Sequence, residues 1–381
     1  MKNKNETIFF WSYSIFFISL FLEDIAYKDT FQTISNIIIK ALKILALFLL
    51  IIITNNKIKR KEYYINKTEI IELTIAIILF ICSRDFILII VVLLGINYKN
   101  EYEEKLLKKS IILIVISTII VVILCKIGII PNIETTRVYL GKQKRISFGF
   151  YHSNVLPLII FYTITYIFMF HNIKIGKRIF IWNILLAISV IFYSYCDSRN
   201  AFILSAIMIA IIIISELIPK KKRKKIHKIT TKVFSKSIYI ISFTSVVPSY
   251  LYSLNIMSNI WIELDKIFTN RCYLGAEKIK SIGLHFINFM SSNSFQKDRI
   301  VIDNGYLYFV LRYGILSILP LYFIFKSLFD CYKKEYMKCL ILFFIIIINF
   351  TDNDFLSYGF LPYAIIGIEN MKNIVKNYKK I

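Results

Sequence analysis

The chain has 381 residues, 57% of them hydrophobic, 16% aromatic and only 19% charged, with a mean hydropathy of +0.63. A soluble domain carries about 25% charged residues, and apolar runs that approach or exceed ~18 residues recur along this chain, the mark of membrane-crossing helices. These figures are read as excluding a soluble enzyme, a disordered chain and a secreted disulfide scaffold, and they predict an all-α polytopic membrane protein.

The first apolar run, Thr7 to Leu22, follows Met1-Lys2-Asn3-Lys4 and lacks a small-x-small cleavage site, so a retained helix is expected. Twelve membrane helices are predicted, over 7–23, 34–53, 66–82, 85–97, 110–130, 153–170, 179–196, 200–218, 237–254, 304–325, 338–350 and 356–370. The net charge of +24 then has a topological reading, because Lys and Arg gather at 57–61, 105–109, 174–178, 220–236, 333–334 and 376–380. With the N-terminus inside, these clusters fall in inner loops, and an even number of crossings returns the C-terminus to the cytoplasm. The expected location is a cell (cytoplasmic) membrane, crossed many times. Read alone, Lys220-Lys221-Lys222-Arg223-Lys224-Lys225 resembles a nucleic-acid patch, but it sits between apolar runs, so no nucleic-acid partner is expected.

A single integral domain, 1–381, is expected, with two large outer loops at 131–153 and 255–303. In the second, Trp261, Ile262, Leu264, Ile267 and Phe268, then Leu274, Ile279, Ile282 and Phe286, recur at near-helical spacing. That spacing predicts one or two amphipathic helices at the outer membrane surface. The cysteines at 82, 125, 196, 272, 331 and 339 show no CxxC and no Cys/His pairing at zinc spacing, so neither a disulfide framework nor a metal is expected.

Charges at the outer helix ends carry the functional reading, since a buried charge without a partner is costly. They are Arg84, Asp85, Arg137, Lys142, Lys144, Arg145, His152, Asp197, Arg199, Arg271, Asp303, Asp352 and Asp354. At one depth they would line one outward-facing cavity. Guanidinium groups grip phosphate oxygens in pairs and stay charged, so Arg145, Arg199 and Arg271 are candidates for a diphosphate.

Four strings are the most specific. Arg145 leads through Gly149, His152 and Asn154 into a helix; Asp197-Ser198-Arg199-Asn200 separates two apolar runs; Asn270-Arg271-Cys272-Tyr273-Leu274 lies in the second loop; and Asp303-Asn304-Gly305-Tyr306-Leu307 opens another helix. In this order the strings resemble those of the Wzy-type polysaccharide repeat-unit polymerases, relatives of the O-antigen ligases. Two departures stand out. Asn270 replaces a usual Gly, and Asp303 stands where ligase-like members often carry His.

The resemblance implies a GT-C-like bundle of about 12 helices and a glycosyltransferase that joins undecaprenyl-diphosphate-linked oligosaccharides into a surface polysaccharide, without a cofactor. It implies Asp303 or His152 as base, and Arg145, Asn154, Arg199, Arg271 and Asn304 as substrate-binding residues. Membrane lipid, a chain-length regulator and a repeat-unit flippase are the implied partners. An O-antigen-ligase-like transferase and a flippase or transporter remain as alternatives.

Overall fold

The computed structural model describes residues 2–27, 29–59, 67–83, 85–137, 143–169, 175–256, 258–268, 270–289, 295, 302–353, 355 and 357–378. Helices dominate. In chain order they are α1 (Lys2–Glu23), α2 (Asp29–Lys59), α3 (Lys67–Ser83), α4 (Ile87–Asn97) and α5 (Glu103–Lys126). A two-stranded antiparallel hairpin follows, β1 (Glu134–Arg137) against β2 (Gln143–Ile146), with Glu134 opposite Ile146 and Arg137 opposite Gln143. Then come α6 (Val155–Met169), α7 (Ile175–Cys196), α8 (Arg199–Leu217), α9 (Lys220–Ser253), α10 (Ser258–Phe268) and α11 (Arg271–Ile282). The last four are α12 (Gly305–Tyr313), α13 (Ile318–Cys331), α14 (Tyr336–Thr351) and α15 (Leu361–Tyr378).

The expected twelve-span, GT-C-like bundle is not what the structure shows. Among the described residues three stretches are long and apolar enough to cross a membrane: Lys4–Glu23, Phe31–Lys59 and Asn100–Lys126. Five other apolar helices, Ile87–Asn97, Val155–Met169, Phe180–Cys196, Arg199–Ser215 and Tyr336–Thr351, are shorter. At 1.5 Å per residue α4, α6 and α14 fall short of the ~30 Å hydrocarbon layer. Helix α14 gives the physical reason for the difference. It is apolar all round, and Cys339, Ile341, Leu342, Ile345 and Ile348 are fully buried against α6, α8 and α9. An all-round apolar sequence is what a helix at the centre of a protein core requires.

The expected helix over 304–325 is two helices. Gly314 (φ +94°) ends α12, and a 3₁₀ turn over Ile315–Ser317 leads into α13. A Cβ at 314 would sit 2.4 Å from the carbonyl oxygen of Phe286, so the break is fixed by close backbone contact. Charges that the sequence reading placed inside spans find internal partners: Lys43 with Glu23 at 2.6 Å, and Arg312 with Asp85. Lys338 pairs with Glu103 at 2.8 Å in the same way. The twelve-pass placement in a cytoplasmic membrane, with both ends inside, rested on counting crossings and does not survive a count of three candidate spans.

Candidate functional site

Two backbone hydrogen bonds tie the end of α1 to the loop before α6: Ala26 N–H to the Gly149 carbonyl (2.9 Å) and Tyr151 N–H to the Asp24 carbonyl (3.0 Å). Gly149 makes this approach possible. Its φ is +93°, and a Cβ there would lie 2.9 Å from that of Cys125. Beside this junction lies a cavity of about 630 Å³, within the range of small-molecule sites. Its walls come from the end of α1 (Glu23, Asp24), the turn into α6 (Tyr151, His152, Asn154), the α12 region (Asp303, Tyr308) and the segment after α14 (Asp352, Asn353, Ser357, Tyr358), with Tyr162 and Phe295.

The turn into α6 is held by its own polar groups. The His152 Nδ1 accepts from the Asn154 N–H at 3.1 Å, which leaves Nε2 as the protonated nitrogen of the neutral ring. Asn154 Oδ1 accepts from Arg145 Nη2 at 2.6 Å, and its Nδ2 donates to Asp352 Oδ1 at 3.5 Å. The other Asp352 oxygen accepts from the Thr351 hydroxyl at 3.0 Å.

Of the residues expected to act, His152, Asn154 and Asp303 meet in this cavity. Arg145 stands behind Asn154, buried, with Nε donating to the Cys196 carbonyl at 2.8 Å. Arg271 donates to the Thr351 carbonyl at 3.0 Å, next to Asp352, without lining the cavity. Arg199 pairs with Asp197 at 3.4 Å. Asn304 caps α12, its Oδ1 accepting from the Leu307 N–H at 3.1 Å. Asp303 lines the cavity and makes no hydrogen bond or ion pair with another described residue. Arg84, Lys142 and Asp354 lie outside the described residues.

Burial pushes the Cys196 thiol up to about 12 against the pull of Arg145. Burial, then the carboxylate of Asp265, pushes Cys272 up to about 12. Both shifts favour the neutral thiol over the reactive thiolate.

The sequence reading missed Glu23, Asp24, Tyr151 and Tyr308. Two acids closing an apolar helix were the available signal, since a helix C-terminus favours cations. Nothing local marks Tyr308.

No protein family, no curated protein and no solved structure matches this chain. The resemblance to Wzy-type polymerases is therefore corrected on two grounds. The fold has three candidate spans among the described residues, and the strings that carried the likeness have local structural causes. Asn304 is a helix cap and Gly149 serves a positive-φ turn.

With the resemblance go the functions drawn from it. A lipid-linked-oligosaccharide polymerase, its glycosyltransferase activity, and its undecaprenyl-diphosphate, membrane-lipid, regulator and flippase partners have no support in this architecture. Of the charges that the expectation assigned to a membrane-face site, Asp85 pairs with Arg312, Lys144 with Glu134, and Arg199 with Asp197.

Proposed function

We propose that the chain is a binding protein whose cavity takes a hydroxyl-rich small molecule, a sugar or another polyol. The observation that carries this reading is the make-up of one cavity: four carboxylates (Glu23, Asp24, Asp303, Asp352) beside Tyr151, Tyr162, Tyr308, Tyr358 and Phe295. Carboxylates accept hydrogen bonds from hydroxyls, and each has room for several. Aromatic faces cover the apolar C–H side of such a molecule. Cations fit this site less well than the count of acids suggests. Glu23 already pairs with Lys43, and Asp352 already accepts from Asn154 and Thr351.

Among the described residues no three His, Cys, Asp or Glu converge to hold a metal ion. Asp303 is the ligand's strongest acceptor on this reading, and His152 lines the cavity beside it. Asn154, fixed by Arg145, sets the floor, while Arg271 steadies the α14 end and Asn304 the start of α12.

Ligand-observed NMR on the detergent-purified chain tests the reading with D-glucose, D-galactose, myo-inositol, spermidine and inorganic phosphate. Saturable binding of a polyol, weakened about tenfold or more by Asp303→Ala, is expected, as for loss of a hydrogen bond to a charged group. Binding of spermidine or phosphate with no polyol would overturn it.

A further inference from the structure

Tyr308 lines the cavity one turn of α12 before Arg312, a residue almost wholly buried. Residues four apart share a helix face, and Arg312 Nη1 donates to the Tyr308 hydroxyl oxygen at 2.5 Å. The guanidinium is held in turn from across the fold, because Nη2 donates to Asp85 Oδ2, just before α4. Asp85 is itself fixed, accepting from the Ile87 N–H at 3.1 Å and from the Tyr313 hydroxyl at 3.5 Å. The Arg312 guanidinium carbon sits 5.7 Å from the Tyr308 ring centre and 5.4 Å from that of Tyr313. On the cavity side the Tyr308 ring meets Phe295 edge to face at 5.2 Å.

We infer that Asp85 and Arg312 are positioning residues that turn Tyr308 into a fixed hydrogen-bond donor facing the cavity. The inference rests on the cavity being a ligand site. A guanidinium has only donors, so the tyrosine oxygen that accepts from Arg312 keeps its own proton to give away. Asp303 asks the ligand for a donor. Tyr308 asks for the opposite, an acceptor such as an ether, carbonyl or carboxylate oxygen. It thereby selects which face of a polyol, or which substituted sugar, can lie against α12.

The test replaces Tyr308 with 3-fluorotyrosine and follows its fluorine resonance while two probes are titrated. Dimethyl sulfoxide can only accept a hydrogen bond and methylammonium can only donate one. Dimethyl sulfoxide is expected to move the resonance saturably and methylammonium to leave it in place. The reverse result, an equal response to both, or no response to either would overturn the inference.

Arg312→Lys keeps a donor-only partner, so it is expected to preserve the selectivity. Arg312→Met frees the tyrosine oxygen, so methylammonium is then expected to move the resonance too. If Arg312→Met does not fold, the wild-type chain and Arg312→Lys already decide the matter. The cavity reading fails separately, when no polyol binds the wild-type chain although the fluorotyrosine responds as expected.

Discussion

Asp303 and Asn304 are neighbours in sequence with opposite roles, and substitution separates them. Asn304 closes the first turn of α12 by accepting from the Leu307 N–H, so Asn304→Ala is expected to cost about 1 kcal/mol of stability. Asp303 makes no hydrogen bond or ion pair with another described residue, so Asp303→Ala is expected to leave stability within about 0.5 kcal/mol while weakening the polyol. Thermal unfolding in detergent, read beside ligand titration, checks both. Equal destabilisation by the two would show that Asp303 belongs to the fold and not to the site.

Gly314 is a second residue with one reason to be what it is. Its φ of +94° and the 2.4 Å approach to the Phe286 carbonyl leave no room for Cβ, so Gly314→Ala is expected to cost about 2 kcal/mol or more. A midpoint of unfolding unchanged from wild type would refute that account.

At the scale of elements, the helices were legible and their setting was not. Apolar runs mark helices, but a run alone does not distinguish a segment buried in protein from one buried in lipid. Helix α14 illustrates this, since its burial depends on α6, α8 and α9, which no local pattern announces. The hairpin β1–β2 was not foreseen, because its strands, ETTR and QKRI, carry no apolar alternation.

The candidate site was legible where residues stood at helix ends, as His152, Asn154 and Asp303 do. It was not legible where contacts joined distant segments. Asp85 and Arg312 are separated by 227 positions and meet only in the fold. Stranding one member of such a buried pair typically costs 3–5 kcal/mol, while replacing both by apolar residues costs far less. Asp85→Leu is therefore expected to destabilise the chain by about 3 kcal/mol, and Asp85→Leu with Arg312→Met to recover most of the loss. A double variant no better than the single would mean that the pair is not coupled as the geometry shows.

The two thiols at the end of α7 and the start of α11 give a pH test at this scale. With Cys196 and Cys272 raised from 9.0 to about 12, iodoacetamide at pH 8 is expected to leave both unmodified in the folded chain and to label both after unfolding. The sign for stability follows. Between pH 9 and about 12 the unfolded thiols lose protons that the folded ones keep, so stability falls as pH rises through that window. Mass spectrometry of the alkylated peptides and an unfolding series in pH measure the two effects.

For the whole molecule, the three candidate spans among the described residues lie together, with α1 packed against both α2 and α5. The core side of α1 is full: Tyr13, Phe16 and Phe17 are entirely buried. The outer faces of its neighbours are not. Ile37 and Phe48 on α2 are 62% and 58% exposed, and Ile116 and Ile119 on α5 are 52% and 53% exposed. Large apolar side chains exposed along a helix face in this number are rarely left to water, so these faces need an apolar covering.

The chain is expected to remain monodisperse only with detergent present and to carry a detergent belt on these helices. Replacing Ile37 and Ile116 by Lys puts two charges on that surface without touching the core, so bound detergent mass is expected to fall while the helical signal and unfolding midpoint stay near wild type. Light scattering coupled to size exclusion measures the belt. A belt of unchanged mass in the double Lys variant would place the detergent elsewhere, on the shorter apolar helices. Monodisperse wild-type protein without detergent would show that a second copy of the chain covers these faces instead.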